Sequence, residues 1–221
     1  LVSERVESQL ASDTPSGMVK SMGLGVIGCT DSLVRLAPDV LVLLGDRYEI
    51  FAVAMAASFL GIPVAHISGG EVTEGAVDDW VRHAITKASW WHFVAAEPYR
   101  RRVIQLGESP ERVFCVGDPG LDSVDRLVRL DRKTLEGHLG LKFAPRIFLV
   151  TYHPATLGDS DPETAFAALL EALDHFNDAT VILTRPNADA GGRALALMAD
   201  AWAERNAGRA GLARRARLRP G

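Results

Sequence analysis

The chain predicts an α/β fold built on a doubly wound parallel sheet. Three observations predict it. Short apolar runs alternate with helical stretches along most of the chain, as strands joined by crossover helices do. Val40–Leu44 is apolar at every position rather than at every second one, the pattern of a strand buried on both faces. Several runs end in glycine followed by an acid, which marks the exit from a strand.

Residues 1–11 read as the end of a helix or a connector. Asp13-Thr14-Pro15-Ser16-Gly17 is a capping signal with proline near a first helical turn. A helix follows from about Ser16 to Leu36, and Gly23, Gly25 and Gly28 would let it pack closely on the sheet. Pro38-Asp39 breaks the chain before the Val40–Leu44 strand. Glu49–Leu60 is an Ala-rich helix ended by Gly61, and Val64–Ile67 is the next strand. Asp78–Ser89 is a helix, His92–Ala96 a short strand, Pro98–Leu106 a basic helix, and Val113–Val116 a strand closed by Gly117-Asp118-Pro119-Gly120. The polar stretch Asp131–Ala144 reads as an interdomain connector. A second series opens with the strand Arg146–Tyr152 and stops at His153-Pro154. It continues with a helix over Pro162–Phe176, a strand over Thr180–Thr184 and a helix over Gly192–Glu204. Two domains result, 1–130 and 145–204, the second incomplete because two strands make no typical sheet. From Arg205 to Gly221 six arginines occur with no acid and no aromatic, so this tail is expected to be disordered. The abrupt change of composition also suits a truncated or frame-shifted reading frame.

A chain of 221 residues holds one large domain or two small ones. Its formal charge of −4 argues against nucleic acid and anionic membrane as general partners. No apolar run approaches the roughly 20 residues a membrane helix needs. The opening Leu1-Val2-Ser3-Glu4-Arg5 is not a signal peptide, and a cytoplasmic location is expected. Cys29 and Cys115 are the only cysteines and lack metal-ligand spacing, so they are expected as small buried hydrophobes.

In an open parallel sheet, ligands bind outside the carboxyl ends of the strands, and the candidate chemistry sits there. His66-Ile67-Ser68-Gly69-Gly70-Glu71 leaves one strand; Asp78 and Asp79 open the next helix, with Arg82 and His83 one turn on. Leu43-Leu44-Gly45-Asp46-Arg47-Tyr48-Glu49 repeats the pattern at the preceding strand. Asp46 reads as a site acid or as a helix N-cap, and Arg47 as a ligand contact or a surface ion pair. Glu71 with Asp78 and Asp79 forms a like-charge cluster of the kind that makes acid/base pairs. The two aspartates also suit a helix first turn, one capping and one working. His153 ends the first strand of the second series, where an imidazole can carry a proton or meet a phosphate. His66 reads as a buried, hydrogen-bonded strand residue, and His138 and His175 as surface residues. Trp90-Trp91-His92-Phe93 reads as core and Arg100-Arg101-Arg102 as a solvated helix face. No Walker motif, strand-linked Gly-x-Gly-x-x-Gly, zinc spacing or nucleophile elbow occurs.

Val42–Glu49, His66–Lys87, Ala95-Ala96-Glu97-Pro98-Tyr99, Thr151-Tyr152-His153-Pro154 and Pro186–Arg193 together resemble the hydrolysing UDP-N-acetylglucosamine 2-epimerases. The branch is the one that supplies N-acetylmannosamine to sialic acid synthesis, and the resemblance covers about residues 8–202. It implies two Rossmann-like domains in the GT-B architecture, with UDP-N-acetylglucosamine in the cleft between them. It also implies elimination of UDP to a glycal-like intermediate, then hydration to N-acetylmannosamine. By motif match, Asp46, Glu71, one of Asp78 or Asp79, and His153 resemble the family's catalytic residues; Arg47, Gly70, Arg82, His83 and Asn187 fall where substrate is bound. No metal or redox cofactor is implied, and full-length relatives are expected to be homo-oligomers. The resemblance departs at both ends: a Gly-Thr-Arg-rich loop expected before residue 1 and a later Gly-Asn-Ser-Ser-rich loop are missing, so negligible activity is expected of the 221 residues alone. The rival readings are an epimerase of a diacetamido-trideoxy sugar nucleotide of the legionaminic type, a GT-B glycosyltransferase, and an inactive remnant.

Overall fold

Thr14 accepts the Gly17 amide at 3.1 Å and Pro15 brings a preset φ, so α1 (Pro15–Leu36) starts where the capping chemistry places it. The computed structural model describes residues 2–8, 14–122, 124, 127–154, 161–185 and 192–213. After α1 come β1 (Leu41–Leu44), α2 (Tyr48–Phe59), β2 (Val64–Ile67), α3 (Asp78–Lys87), β3 (Trp91–Val94), α4 (Glu97–Gln105), β4 (Val113–Cys115) and a short α5 (Pro119–Asp122). The strands pair in parallel in the order β1-β2-β3-β4. These elements belong to the first of two compact units, Leu1–Leu127.

The core of that unit joins Leu33 of α1, Leu43 of β1, Ala54, Ala56 and Ala57 of α2, Val64 of β2, and Val81 and Ile85 of α3. Small alanines on α2 let α1 and the sheet approach it closely. A Cβ on Gly28 would stand 2.5 Å from Val6 Cγ1, so the glycine admits residues 2–8 against α1 rather than packing on the sheet. One register row, Leu43–His66–His92–Val113, crosses all four strands and is buried throughout. On the opposite face Val42, Leu44 and Phe114 are exposed.

The second unit, Val128–Gly221, carries α6 (Arg132–Leu139), β5 (Arg146–Val150), α7 (Pro162–Asp174), β6 (Ala179–Thr184), α8 (Gly192–Arg205) and β7 (Ala210–Ala213). Its parallel sheet has the order β5-β6-β7. Phe166, Leu170, Leu173, Val181, Leu183, Leu195, Ala199 and Trp202 form its core. Asp161 caps α7 by accepting the amides of Glu163 (3.3 Å) and Thr164 (3.2 Å).

Several expectations need correction. The connector contains α6: Asp131 accepts the Thr134 amide at 2.7 Å and Gly140 ends the helix in the left-handed conformation. Its trailing segment is tied to the sheet, the Ala144 amide donating to Thr180 Oγ1 at 2.8 Å. The arginine-rich end is not disordered as far as residue 213. β7 adds a third strand beside β6, and the Val181 amide donates to the Arg209 carbonyl at 2.8 Å. Arg209 donates to Asp174 Oδ1 at 3.1 Å and lies 5.3 Å from the Trp202 ring centre, so this arginine serves packing. The remainder of the tail, 214–221, lies outside the described residues. Trp90 is exposed, with the Arg112 guanidinium 4.0 Å from its ring centre, and Cys115 is exposed as well.

Trp202 is fully buried and its Nε1 donates to Asp174 Oδ1 at 2.9 Å. Trp202→Ala should destabilise the second unit by about 3–5 kcal/mol, as large-to-small core changes do. Urea denaturation followed at second-unit amides reads the loss; a change under 1 kcal/mol, about fivefold in the equilibrium constant, would contradict this core assignment.

Candidate functional site

β1 and β2 run side by side and end together, Leu44 opposite Ile67, so the residues that follow them emerge at one end of the first unit's sheet. Beyond β1 the Gly45 amide donates back to the Ile67 carbonyl at 3.2 Å, and Asp46 comes next. Beyond β2 the chain turns sharply. Ser68 adopts φ 65°, a costly conformation for a residue with a side chain, and Gly70 adopts φ 78°. Any Cβ at Gly70 would collide with the Tyr99 carbonyl of α4, so glycine is required twice over, by conformation and by space. Arg102 of α4 donates to the Gly70 carbonyl and fixes the turn immediately before Glu71.

Asp46 and Arg82 form an ion pair, with side chains 20% and 8% exposed. The second guanidinium nitrogen of Arg82 donates to Thr73 Oγ1 at 3.1 Å. The Thr73 amide in turn donates to Asp79 Oδ1 at 2.8 Å, and Asp79 Oδ2 stands 4.0 Å from His83 Nε2 one helical turn on. Glu71 is half-buried, and its side chain has no ion-pair or hydrogen-bond partner among the described residues. Among these acids, then, Asp46 is neutralised by a cation, Asp79 is held by a backbone amide, and Glu71 keeps its lone pairs.

His66 underlies the cluster. Its Nε2–H donates to the Gly45 carbonyl at 2.9 Å. The Thr86 hydroxyl lies 3.0 Å from the Arg82 carbonyl and 3.3 Å from His66 Nδ1, sharing one proton between two acceptors. Burial pushes His66 from 6.5 down to about 4, opposed by the bond to Gly45 and reinforced by the nearby His92 and Arg82. His92, its neighbour in the buried row, is likewise lowered by burial, although it donates to Glu108 Oε2 at 3.2 Å.

The candidate residues from sequence divide as follows. Asp46, Gly70, Glu71, Asp79, Arg82 and His83 lie on the segments that follow β1 and β2. Asp78 shares the first turn of α3 with Asp79. Arg47 is half-buried, and its Nε donates to Glu49 Oε2 at 3.4 Å. Asp46 is not the N-cap of α2, a position held by Arg47 without a side-chain cap. His153 is exposed beyond β5 in the second unit. Asn187 lies outside the described residues. Sequence reasoning missed Thr73, Thr86 and Arg102; the last was read as part of a solvated face. Thr73 was in principle detectable as a hydroxyl six residues before an aspartate at a helix start. Among the described residues no cluster of three histidines, cysteines or acids is placed to hold a metal ion. No helix among them is long and apolar enough to cross a membrane.

Residues 1–212 match the UDP-N-acetylglucosamine 2-epimerase family. The chain belongs to this family. It is 36% identical over 211 residues to the GDP/UDP-N,N'-diacetylbacillosamine 2-epimerase (hydrolyzing) of Campylobacter jejuni, covering 96% of this chain and 55% of the relative. It is 39% identical to the UDP-N,N'-diacetylbacillosamine 2-epimerase (hydrolyzing) of Legionella pneumophila, covering 83% and 48%. The chain thus spans about half the length of the curated relatives it matches. Its fold is similar to that of the Neisseria meningitidis UDP-GlcNAc 2-epimerase bound to UDP-GlcNAc, with a TM-score of 0.69, 18% identity, and coverage of 92% of this chain and 56% of the other. Family and fold therefore bear out the resemblance read from the motifs, and the fold is the α/β, Rossmann-like GT-B type.

The histidine pair gives this family member a pH-dependent stability. Above pH 6.5 folded and unfolded His66 are both neutral and the stability is fully present. Between 6.5 and about 4 the unfolded chain takes up a proton that the buried ring refuses, so stability falls as pH falls. The loss should reach about 3 kcal/mol near the lower limit. Denaturant midpoints measured across this window should fall, and fall less steeply in His66→Gln; identical pH profiles for the two proteins would rule out His66 as the cause.

Proposed function

We propose that this protein is a hydrolysing 2-epimerase of a UDP-linked 2-acetamido sugar. The observation that supports this best is the collection of Asp46, Arg82, Asp79 and Glu71 on the segments leaving β1 and β2, in a chain of this family. The reaction needs a base at C2 and stabilisation of the leaving diphosphate. Glu71 is the carboxylate best suited to the first task, because Asp46 and Asp79 already have partners. In this reading Glu71 removes the C2 proton and the freed electron pair forms the C1–C2 double bond. The C1–oxygen bond breaks and UDP leaves with its electrons. Water then adds, hydroxyl to C1 and proton to C2 on the opposite face, giving the 2-epimer of the free sugar. His153 is proposed, from its motif alone, to serve the leaving phosphate.

The names of the Campylobacter and Legionella relatives favour UDP-N,N'-diacetylbacillosamine as the first substrate to try. The family name and the motifs favour UDP-N-acetylglucosamine as the second. The test is to supply each nucleotide sugar in D₂O, follow UDP release, and read C2 of the sugar product by NMR. Deuterium at C2 with inverted configuration is expected. UDP release with C2 proton and configuration retained would instead indicate simple hydrolysis or a glycosyltransferase lacking its acceptor.

Glu71→Gln and His153→Ala should each lower turnover by about 10²-fold or more, as loss of an acid/base group does, and Asp46→Asn should lower it about as far by leaving the nearly buried Arg82 without its counter-charge. Deuterium incorporation at C2 should fall with turnover in Glu71→Gln. Near-normal turnover by purified Glu71→Gln would remove that residue from the proton transfer.

A further inference from the structure

We propose that Thr73 is a positioning residue that locks the loop between β2 and α3, and with it the free carboxylate of Glu71, in its working geometry. This deepens the proposed epimerase reading and rests on it. The chain reaches Glu71 through a strained turn at Ser68–Gly70 and has no regular structure from there until Asp78. Thr73 lies near its middle and makes three separate attachments. Its hydroxyl accepts from Arg82 Nη1 at 3.1 Å, its amide donates to Asp79 Oδ1 at 2.8 Å, and its carbonyl accepts the Ala76 amide at 3.2 Å. Arg82 cannot follow a moving loop, because its other nitrogen is paired with Asp46 beyond β1 and its side chain is 8% exposed. The hydroxyl of Thr73 therefore connects the loop to a fixed cation beside the strand ends. On the other side of Glu71, Arg102 holds the Gly70 carbonyl. Glu71 is thus suspended between two arginine-anchored points, Gly70 and Thr73, one and two residues away. Such restraint is what a general base requires, since a small misplacement of a reacting group costs rate rather than binding.

Thr73→Val removes the hydroxyl and keeps the shape and the backbone amide; Thr73→Ser keeps the hydroxyl. Thr73 is exposed, so neither change should affect the core. Amide hydrogen exchange over residues 72–76 should be at least about tenfold faster in Thr73→Val, as expected on losing a hydrogen bond to a charged donor. Its kcat should fall by about tenfold or more with KM changed less than about threefold, and Thr73→Ser should restore both quantities to near wild type. Exchange and kcat within about twofold of wild type in Thr73→Val would overturn the proposal, since that is less than one lost hydrogen bond predicts. So would faster exchange with unchanged kcat, because the clamp would then position nothing the chemistry uses. So would a serine variant no better than valine. If the wild-type chain turns over neither nucleotide sugar, the epimerase reading fails instead, and the exchange measurement alone decides whether Thr73 clamps the loop.

Discussion

The pairing of Asp46 with Arg82 is the constraint around which the first unit's strand ends are arranged. Arg82 is nearly buried, and a guanidinium removed from water without a counter-charge is strongly destabilising. Its partner must come from beyond β1, so α3 is held where Arg82 can reach that strand end. At the other end of α3, Lys87 pairs with the buried Glu108 at 2.5 Å. The helix is thus tied at two points to segments distant in sequence, and its apolar side, Val81 and Ile85, is directed into the core.

Beneath this charged layer lies a neutral polar one. His66 and His92 stand side by side in a row otherwise made of Leu43 and Val113. A strand position there could have been filled by an apolar residue. The imidazole of His66 instead satisfies the Gly45 carbonyl, immediately before Asp46, and remains uncharged because burial disfavours the imidazolium. A charged ring at that position would add a cation close to Arg82. The neutral ring supports the backbone from which Asp46 projects without competing for its carboxylate.

The same contrast separates the acids. Asp46, Asp79 and Glu71, three of the carboxylates near the two strand ends, look equivalent in a linear sequence. In the fold one has a guanidinium, one has a backbone amide, and one has neither. Chemical difference among identical functional groups arises here from what each can reach.

Much was legible in the sequence. The strand and helix order follows from local periodicity, because apolar runs, caps and glycine exits act over a few residues, and those signals placed α1 to β4 of the first unit to within about two residues, while the short α5 was read as a turn. The strand-end rule then put Asp46, Glu71, Asp79 and Arg82 on the segments leaving β1 and β2, where the fold has them. The connector helix was hidden by its polar composition although Asp131 and Gly140 bracket it, and β7 by its arginine neighbours. What the sequence could not determine is pairing. Asp46 and Arg82 are 36 positions apart, Arg82 and Thr73 nine, and Thr73 and Asp79 six. No periodicity encodes such contacts, since they exist only once β1 and β2 lie in register and α3 is packed over them. The sequence by itself therefore determined which chemical groups stand at the strand ends. Tertiary structure decided which of them are neutralised, which are held by a backbone amide, and that the Glu71 side chain has no partner among the described residues.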